Sequence, residues 1–132
     1  VAENAVITSD NGIYKACIEN SIDVLKIESG YIEIEDYNYG FIGGSCGKLS
    51  DDILAFCGDV KVHKNYDDIK AFALNYGINL ISLSNKKLFD IGGFIPTKQE
   101  WVYWYKLKFA KNILLKIKFL LAMSNKYVII KV

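Results

Sequence analysis

The chain carries nearly the same phrase twice, Gly40-Phe41-Ile42-Gly43-Gly44 and Phe89-Asp90-Ile91-Gly92-Gly93. Each copy lies a little downstream of a stretch that reads strand, helix, strand. A repeat constrains the fold before any single residue does, because a unit used twice buries its apolar face against its own copy. The helix exits match as well, Ser21-Ile22-Asp23-Val24-Leu25 against Gly77-Ile78-Asn79-Leu80-Ile81. The expected architecture is therefore α/β, with two copies of strand, helix, strand and glycine strand over residues 5–95. Glycine pairs inside strands are costly, and they mark a bulge, a sharp twist or the close approach of another backbone or a ligand.

Local patterns fill in the two copies. Ala5-Val6-Ile7 reads as a short buried strand. Asp10 is the N-cap of a helix running to about Asn20, with Ile13, Ala16 and Cys17 sharing its inner face. Residues 22–27 are rich in branched apolar side chains and form the next strand. Gly30 interrupts the pattern, and residues 31–35 alternate as an exposed strand or extended loop would. A Gly-rich strand is expected from about Tyr39 to Cys46, a turn over 48–52 and a strand over 53–57, together a hairpin. Asn65 caps the second helix, with Asp67 and Asp68 in its first turn and Ile69, Phe72, Ala73 and Tyr76 on its inner stripe. Gly77 suits the left-handed position after the helix, and residues 79–83 return as a strand.

At 132 residues the chain has the size of one domain, and 52% hydrophobic content is enough to bury a core. The first residue is Val1 rather than Met and a strand pattern starts at Ala5, which points to a chain beginning inside a larger domain. No signal peptide is visible. All sixteen cationic residues are Lys, so the side chain best suited to bidentate carboxylate or phosphate recognition is absent. Charge divides sharply: residues 1–96 carry a net −6 and residues 97–132 a net +7. We therefore divide the chain into an α/β body, 1–96, and a basic aromatic-rich tail, 97–132. The acidic body is a poor nucleic-acid ligand, since its field repels phosphates. Neither Gly-Gly pair matches a phosphate-cradling motif, so no nucleotide cofactor is expected. The three cysteines, Cys17, Cys46 and Cys57, show no metal spacing. They fit a reduced, cytoplasmic setting with buried thiols. With His63 as the only histidine, no metal site is expected.

Four segments together resemble an uncharacterised bacterial family assigned to the pentein, or guanidino-group-modifying-enzyme, fold. They are Ala5-Val6-Ile7-Thr8-Ser9-Asp10-Asn11-Gly12-Ile13, Tyr39-Gly40-Phe41-Ile42-Gly43-Gly44, Phe56-Cys57-Gly58-Asp59 with His63, and Asp90-Ile91-Gly92-Gly93. The match covers about residues 1–96 and leaves out the tail. The resemblance implies an α/β-propeller of ββαβ modules around a pseudo-fivefold axis. About two modules fit into this chain, so the ring is expected to be incomplete.

Catalytic penteins use a Cys nucleophile, a His general acid/base and carboxylates that hold a guanidinium. Thiolate attack on a planar cation, proton transfer by His and charge matching by acids make physical sense together. The resemblance makes Asp59 and His63 the candidate carboxylate and base. The plain alternative is a loop Asp and a hydrogen-bonded His. Active penteins usually place the Cys after a Gly-rich stretch in the last module. Here that stretch is Gly92-Gly93-Phe94-Ile95-Pro96, and no Cys follows Cys57. Cys46, flanked by Gly44-Ser45 and Gly47, is the remaining candidate nucleophile. The plain alternative is a small core thiol, since nothing near it in sequence lowers its pKa.

The expected function is therefore a non-catalytic pentein-like domain that binds a small molecule or a protein. The rival is a guanidino-modifying enzyme of hydrolase, deiminase or amidinotransferase type. In the tail, Trp101 to Tyr105 precedes a basic, partly amphipathic helix pattern over 107–123. Lys116 and Lys118 exclude a membrane span. Peripheral contact with an anionic membrane, packing on the body with possible self-association, and a non-native continuation of an AT-rich gene are the readings left open.

Overall fold

The computed structural model describes residues 1–96; the readings made for 97–132 lie outside the described residues. Chain order within that span begins with β1 (Ala5–Thr8), α1 (Asn11–Glu19), β2 (Asp23–Lys26) and β3 (Ile32–Glu33). It continues with β4 (Cys46–Ser50), β5 (Ile53–Phe56), α2 (Tyr66–Asn75), β6 (Asn79–Ser82) and β7 (Leu88–Phe89). Over the described residues the fold is mixed α/β, with two helices and three small sheets. Among the described residues no sheet closes into a barrel or a propeller.

The repeat is visible in the hydrogen bonds. β1 pairs with β2 in parallel across α1, and β5 pairs with β6 in parallel across α2. Asp23 N donates to Asn4 O, and Asn79 N donates to Asp52 O. Ile22 N donates to Cys17 O, and Ile78 N to Ala73 O. Ile27 N donates to Thr8 O, and Leu83 N to Phe56 O. Each pair of bonds occupies the same place in its unit. Even the turn before the first strand recurs, Ala2 bridging Ala5 as Ser50 pairs with Ile53. The two short strands that follow the units then pair with each other in parallel, Ile32 opposite Leu88 and Glu33 opposite Phe89.

The second unit carries one more strand. β4 lies antiparallel on the far edge of β5, giving the order β4-β5-β6. β5 is thereby the central strand, buried at all four positions, as its unbroken Ile-Leu-Ala-Phe run requires. Leu54 and Phe56 face a cluster with Ile69 and Ala73 of α2, while Ile53 and Ala55 face a second cluster with Leu49 and Phe94.

Several expectations are corrected. The glycine strands are cut short: residues 42–45 form a 3-10 turn, and of the strand expected over 88–95 only Leu88–Phe89 pairs as a strand, Gly92 and Gly93 both sitting at φ +84°. Those left-handed angles take the chain out of any ladder. The turn expected over 48–52 is only Asp51-Asp52, because 46–50 pairs with β5. Residues 31–35 contribute only the two-residue β3. Asp10 caps α1 as expected, its Oδ1 accepting from Ile13 N at 2.8 Å. Of the inner face assigned to α1, only Cys17 is buried, and Ile13 is 51% exposed. In α2, Ile69 and Ala73 are buried as expected, whereas Tyr76 is exposed. Asn65 stands at the N-cap of α2 without a side-chain capping bond.

Candidate functional site

The clearest difference between the units is the connection from strand to helix. Two residues join β1 to α1, but nine join β5 to α2. That longer connection, 57–65, holds two of the three candidate residues.

Asp59, the third residue of the connection, caps a 3-10 turn at Val60–Val62. Its Oδ1 accepts from Lys61 N at 3.1 Å and from Ser82 Oγ at 3.0 Å. Ser82 Oγ in turn accepts from Val60 N at 3.1 Å, and Asp59 N donates to Lys86 O at 2.7 Å. The carboxylate thus ties the connection to the end of β6, the work of a capping side chain.

His63 closes the same 3-10 turn and is only 2% exposed. Its Nδ1 accepts the main-chain N–H of Asn65 at 3.0 Å. A main-chain N–H can only donate, so the neutral ring carries its proton on Nε2. Nε2 is buried without a hydrogen-bond partner. The Tyr31 ring lies against the imidazole, centroids 5.2 Å apart and tilted by 50°. Burial pushes the His63 pKa below its ordinary value, while the main chain and carboxylate of Glu28 pull the other way. Glu28 belongs to the β2–β3 loop and is fastened twice: its N–H donates to Asn65 Oδ1 at 2.9 Å, and its carboxylate meets Lys64 Nζ at 2.8 Å.

Cys46 begins β4 on the other side of β5 from α2's strand partner, β6. Burial pushes its thiol up to about 12, the positive N-terminus opposing and Cys57 and Asp90 adding to the rise. A thiol held protonated in this way is a poor nucleophile. His63 has its Nδ1 taken by Asn65 and its Nε2 unpartnered, so no bond joins it to Cys46. The structure brings Asp59 and His63 into one connection but unites neither with Cys46.

Asp90 is the residue that sequence reasoning passed over. It is 8% exposed and belongs to the second Gly-rich segment, its carboxylate packed against the first. Its Oδ2 accepts from Phe41 N at 2.8 Å and its Oδ1 from Gly92 N at 2.9 Å. A Cβ on Gly44 would stand 1.7 Å from Asp90 Oδ1, and one on Gly40 would stand 2.5 Å from Asp90 Cβ. Gly44 O also accepts from both Ile91 N and Gly93 N. The repeated glycine phrases are therefore two halves of one seam, and the available clue was a lone acid inside Leu88-Phe89-Asp90-Ile91.

Comparison with known families gives the model of a family of unknown function, DUF6873, matching residues 1–95. The chain belongs to DUF6873. No curated protein and no solved structure matches it. The DUF6873 span takes in both units, the His63 connection and the Asp90 seam. Among its described residues no group of three or more His, Cys, Asp or Glu is placed to hold a metal ion. No described helix is long and apolar enough to cross a membrane.

Proposed function

We propose that this DUF6873 chain is a pentein-like domain that binds a small molecule or a protein partner and does not catalyse guanidino chemistry. Two arrangements support the pentein-like part. The second unit runs β4-β5-α2-β6, a ββαβ order with one antiparallel and one parallel pairing. The first unit repeats its last three elements with matching hydrogen bonds. A cytoplasmic setting agrees with Cys17, Cys46 and Cys57 all being free thiols.

The observation that carries the non-catalytic part is the state of the two candidate reacting groups. Activation of a thiol requires a base within hydrogen-bond reach or a lowered pKa. Cys46 has neither: its pKa is raised, and the basic lone pair of His63 is spent on Asn65 N–H. To act as a base His63 must first give up that bond.

The test is an assay of the full chain against arginine, agmatine and methylarginines for released amine, urea or a citrulline-type product. No turnover is expected, and Cys46 is expected to react with iodoacetamide far more slowly in the folded than in the unfolded chain. Turnover abolished by Cys46→Ala or His63→Ala overturns the reading in favour of a guanidino-modifying enzyme.

A further inference from the structure

His63 is a buried base set immediately before a helix. Its ring is inaccessible, and its one accepting nitrogen is satisfied by the amide of Asn65, the residue at the N-cap of α2. The strap across it is the β2–β3 loop, 28–31. Tyr31 lies on the imidazole, and Glu28 is bound through its N–H to Asn65 Oδ1 and through its carboxylate to Lys64. Gly30 carries the loop through φ +96°. The two ends of the strap run into Ile27 and Ile32, both buried in the larger core cluster.

We infer that His63 is an acid-sensitive latch, whose protonation releases the strap 28–31 and the start of α2 while the sheets stay folded. A proton taken from solvent has only Nδ1 to occupy, since Nε2 already holds one. Nδ1–H then faces Asn65 N–H, donor against donor, and the bond at 3.0 Å is lost. The new cation stands beside the helix N-terminus, where the aligned peptide dipoles disfavour positive charge. It is also buried, and an unpaired buried charge is costly.

The surrounding charges do not remove the conflict. From the strap, the main chain and the carboxylate of Glu28 favour the cation, less than burial disfavours it, and the carboxylate is already paired with Lys64; Tyr31 offers a ring face. From the connection itself, Lys64 opposes it. From the first turn of α2, Asp67 and Asp68 are exposed, and Asp68 Oδ2 is taken by Asn65 Nδ2 at 3.1 Å. The ring therefore leaves its site when charged. Its departure removes the support under Tyr31 and frees Asn65, which also holds Glu28.

Because the folded-state pKa of His63 lies below the ordinary 6.5, the latch is complete above that value. It weakens as pH falls through and below it. Release by protons alone needs no other ligand, so the inference stands whether or not the domain is catalytic.

The test is amide hydrogen exchange and histidine NMR on the full chain, from about pH 7.5 to about pH 4.5, with rates corrected for intrinsic pH dependence. The amides of Asn65 and Glu28 are expected to lose protection by about tenfold or more on acidification, while Ala55 and Phe56 in β5 keep theirs. In His63→Asn, whose Oδ1 can accept from Asn65 N–H but does not titrate, that loss is expected to disappear. If His63→Asn does not fold, the wild-type measurements decide. Unchanged protection at Asn65 and Glu28 while His63 titrates overturns the inference. So does simultaneous loss in β5, which is global unfolding, or the same acid response in a folded His63→Asn.

Discussion

The two strand–helix–strand units share one backbone plan and differ in what their helices hold. In the first, α1 rests on its sheet mainly through Cys17, and Ile13 and Ile18 face outward. In the second, the residues at the matching places, Ile69 for Ile13 and Ala73 for Cys17, are wholly buried. The second unit also has β4 on its outer edge and the long connection with Asp59 and His63. Identical hydrogen-bond ladders therefore do not mean identical energetics. A ladder fixes where a helix lies, but the residues packed on it decide whether it belongs to the core.

The strongest way to break this comparison is to truncate the matched isoleucines. Ile69→Ala removes three carbons from the centre of the larger cluster, and is expected to cost about 2–5 kcal/mol. Ile13→Ala, at a half-exposed site, is expected to cost under about 1 kcal/mol, close to the range of surface substitutions. Urea unfolding of the two variants measures the difference. Equal costs would mean that α1 is as well buried as α2 and that the asymmetry is wrong.

A smaller effect is expected at the seam joining the units. Gly44→Ala forces a methyl group against the Asp90 carboxylate, 1.7 Å away before any relaxation. The neighbouring atoms belong to a buried side chain held by two main-chain N–H groups, so it cannot simply swing aside. Overpacking of this kind costs about 1–3 kcal/mol. Asp90→Ala removes the clash and both bonds together. The double variant should therefore lose less stability than the sum of the single ones, a coupling that a double-mutant cycle measures. Strict additivity would sever Gly44 from Asp90 and with it the account of why the first phrase carries glycine there.

These sites also show how much the chain announces. The strand–helix–strand order, the Asp10 cap and the left-handed Gly77 were legible because each depends on neighbours in sequence. The glycine segments carry a strand-like apolar pattern in Phe41-Ile42 and Phe89, yet Ile42 opens a 3-10 turn and only Leu88–Phe89 pairs as a strand. The reason for Gly44 is a carboxylate 46 positions away, and no local pattern contains it. β4 was hidden by Lys48 and Ser50, which read as a turn although an edge strand tolerates polar residues on one face. Ile13 and Ile69 stand at equivalent helical positions, and periodicity gives a face without saying what covers it. Asp59 and His63 were picked out from a resemblance. The bond from Asn65 N–H that fixes the imidazole tautomer is a product of the 3-10 turn, visible only in three dimensions.

The finest test of the comparison uses the residue just past each helix. Ser21 and Gly77 stand at the same place and adopt the same left-handed backbone, φ 56° and φ 69°. The following amide donates back into the helix in both, Ile22 N to Cys17 O and Ile78 N to Ala73 O. Glycine adopts this conformation without a Cβ clash, whereas other residues pay about 1 kcal/mol or somewhat more. A Cβ built on Gly77 meets nothing within 4 Å, so Gly77→Ala tests the backbone alone and is expected to lose about 1 kcal/mol. Ser21→Gly is expected to gain up to about 1 kcal/mol, partly offset by the greater freedom of glycine in the unfolded chain. Thermal melting should move in opposite directions for the two, by a few degrees each. Ser21→Gly that destabilises the chain, together with Ser21→Ala that destabilises it further, would show that the serine hydroxyl holds a partner the shared backbone plan does not include. The two helix ends would then be alike in shape but not in mechanism.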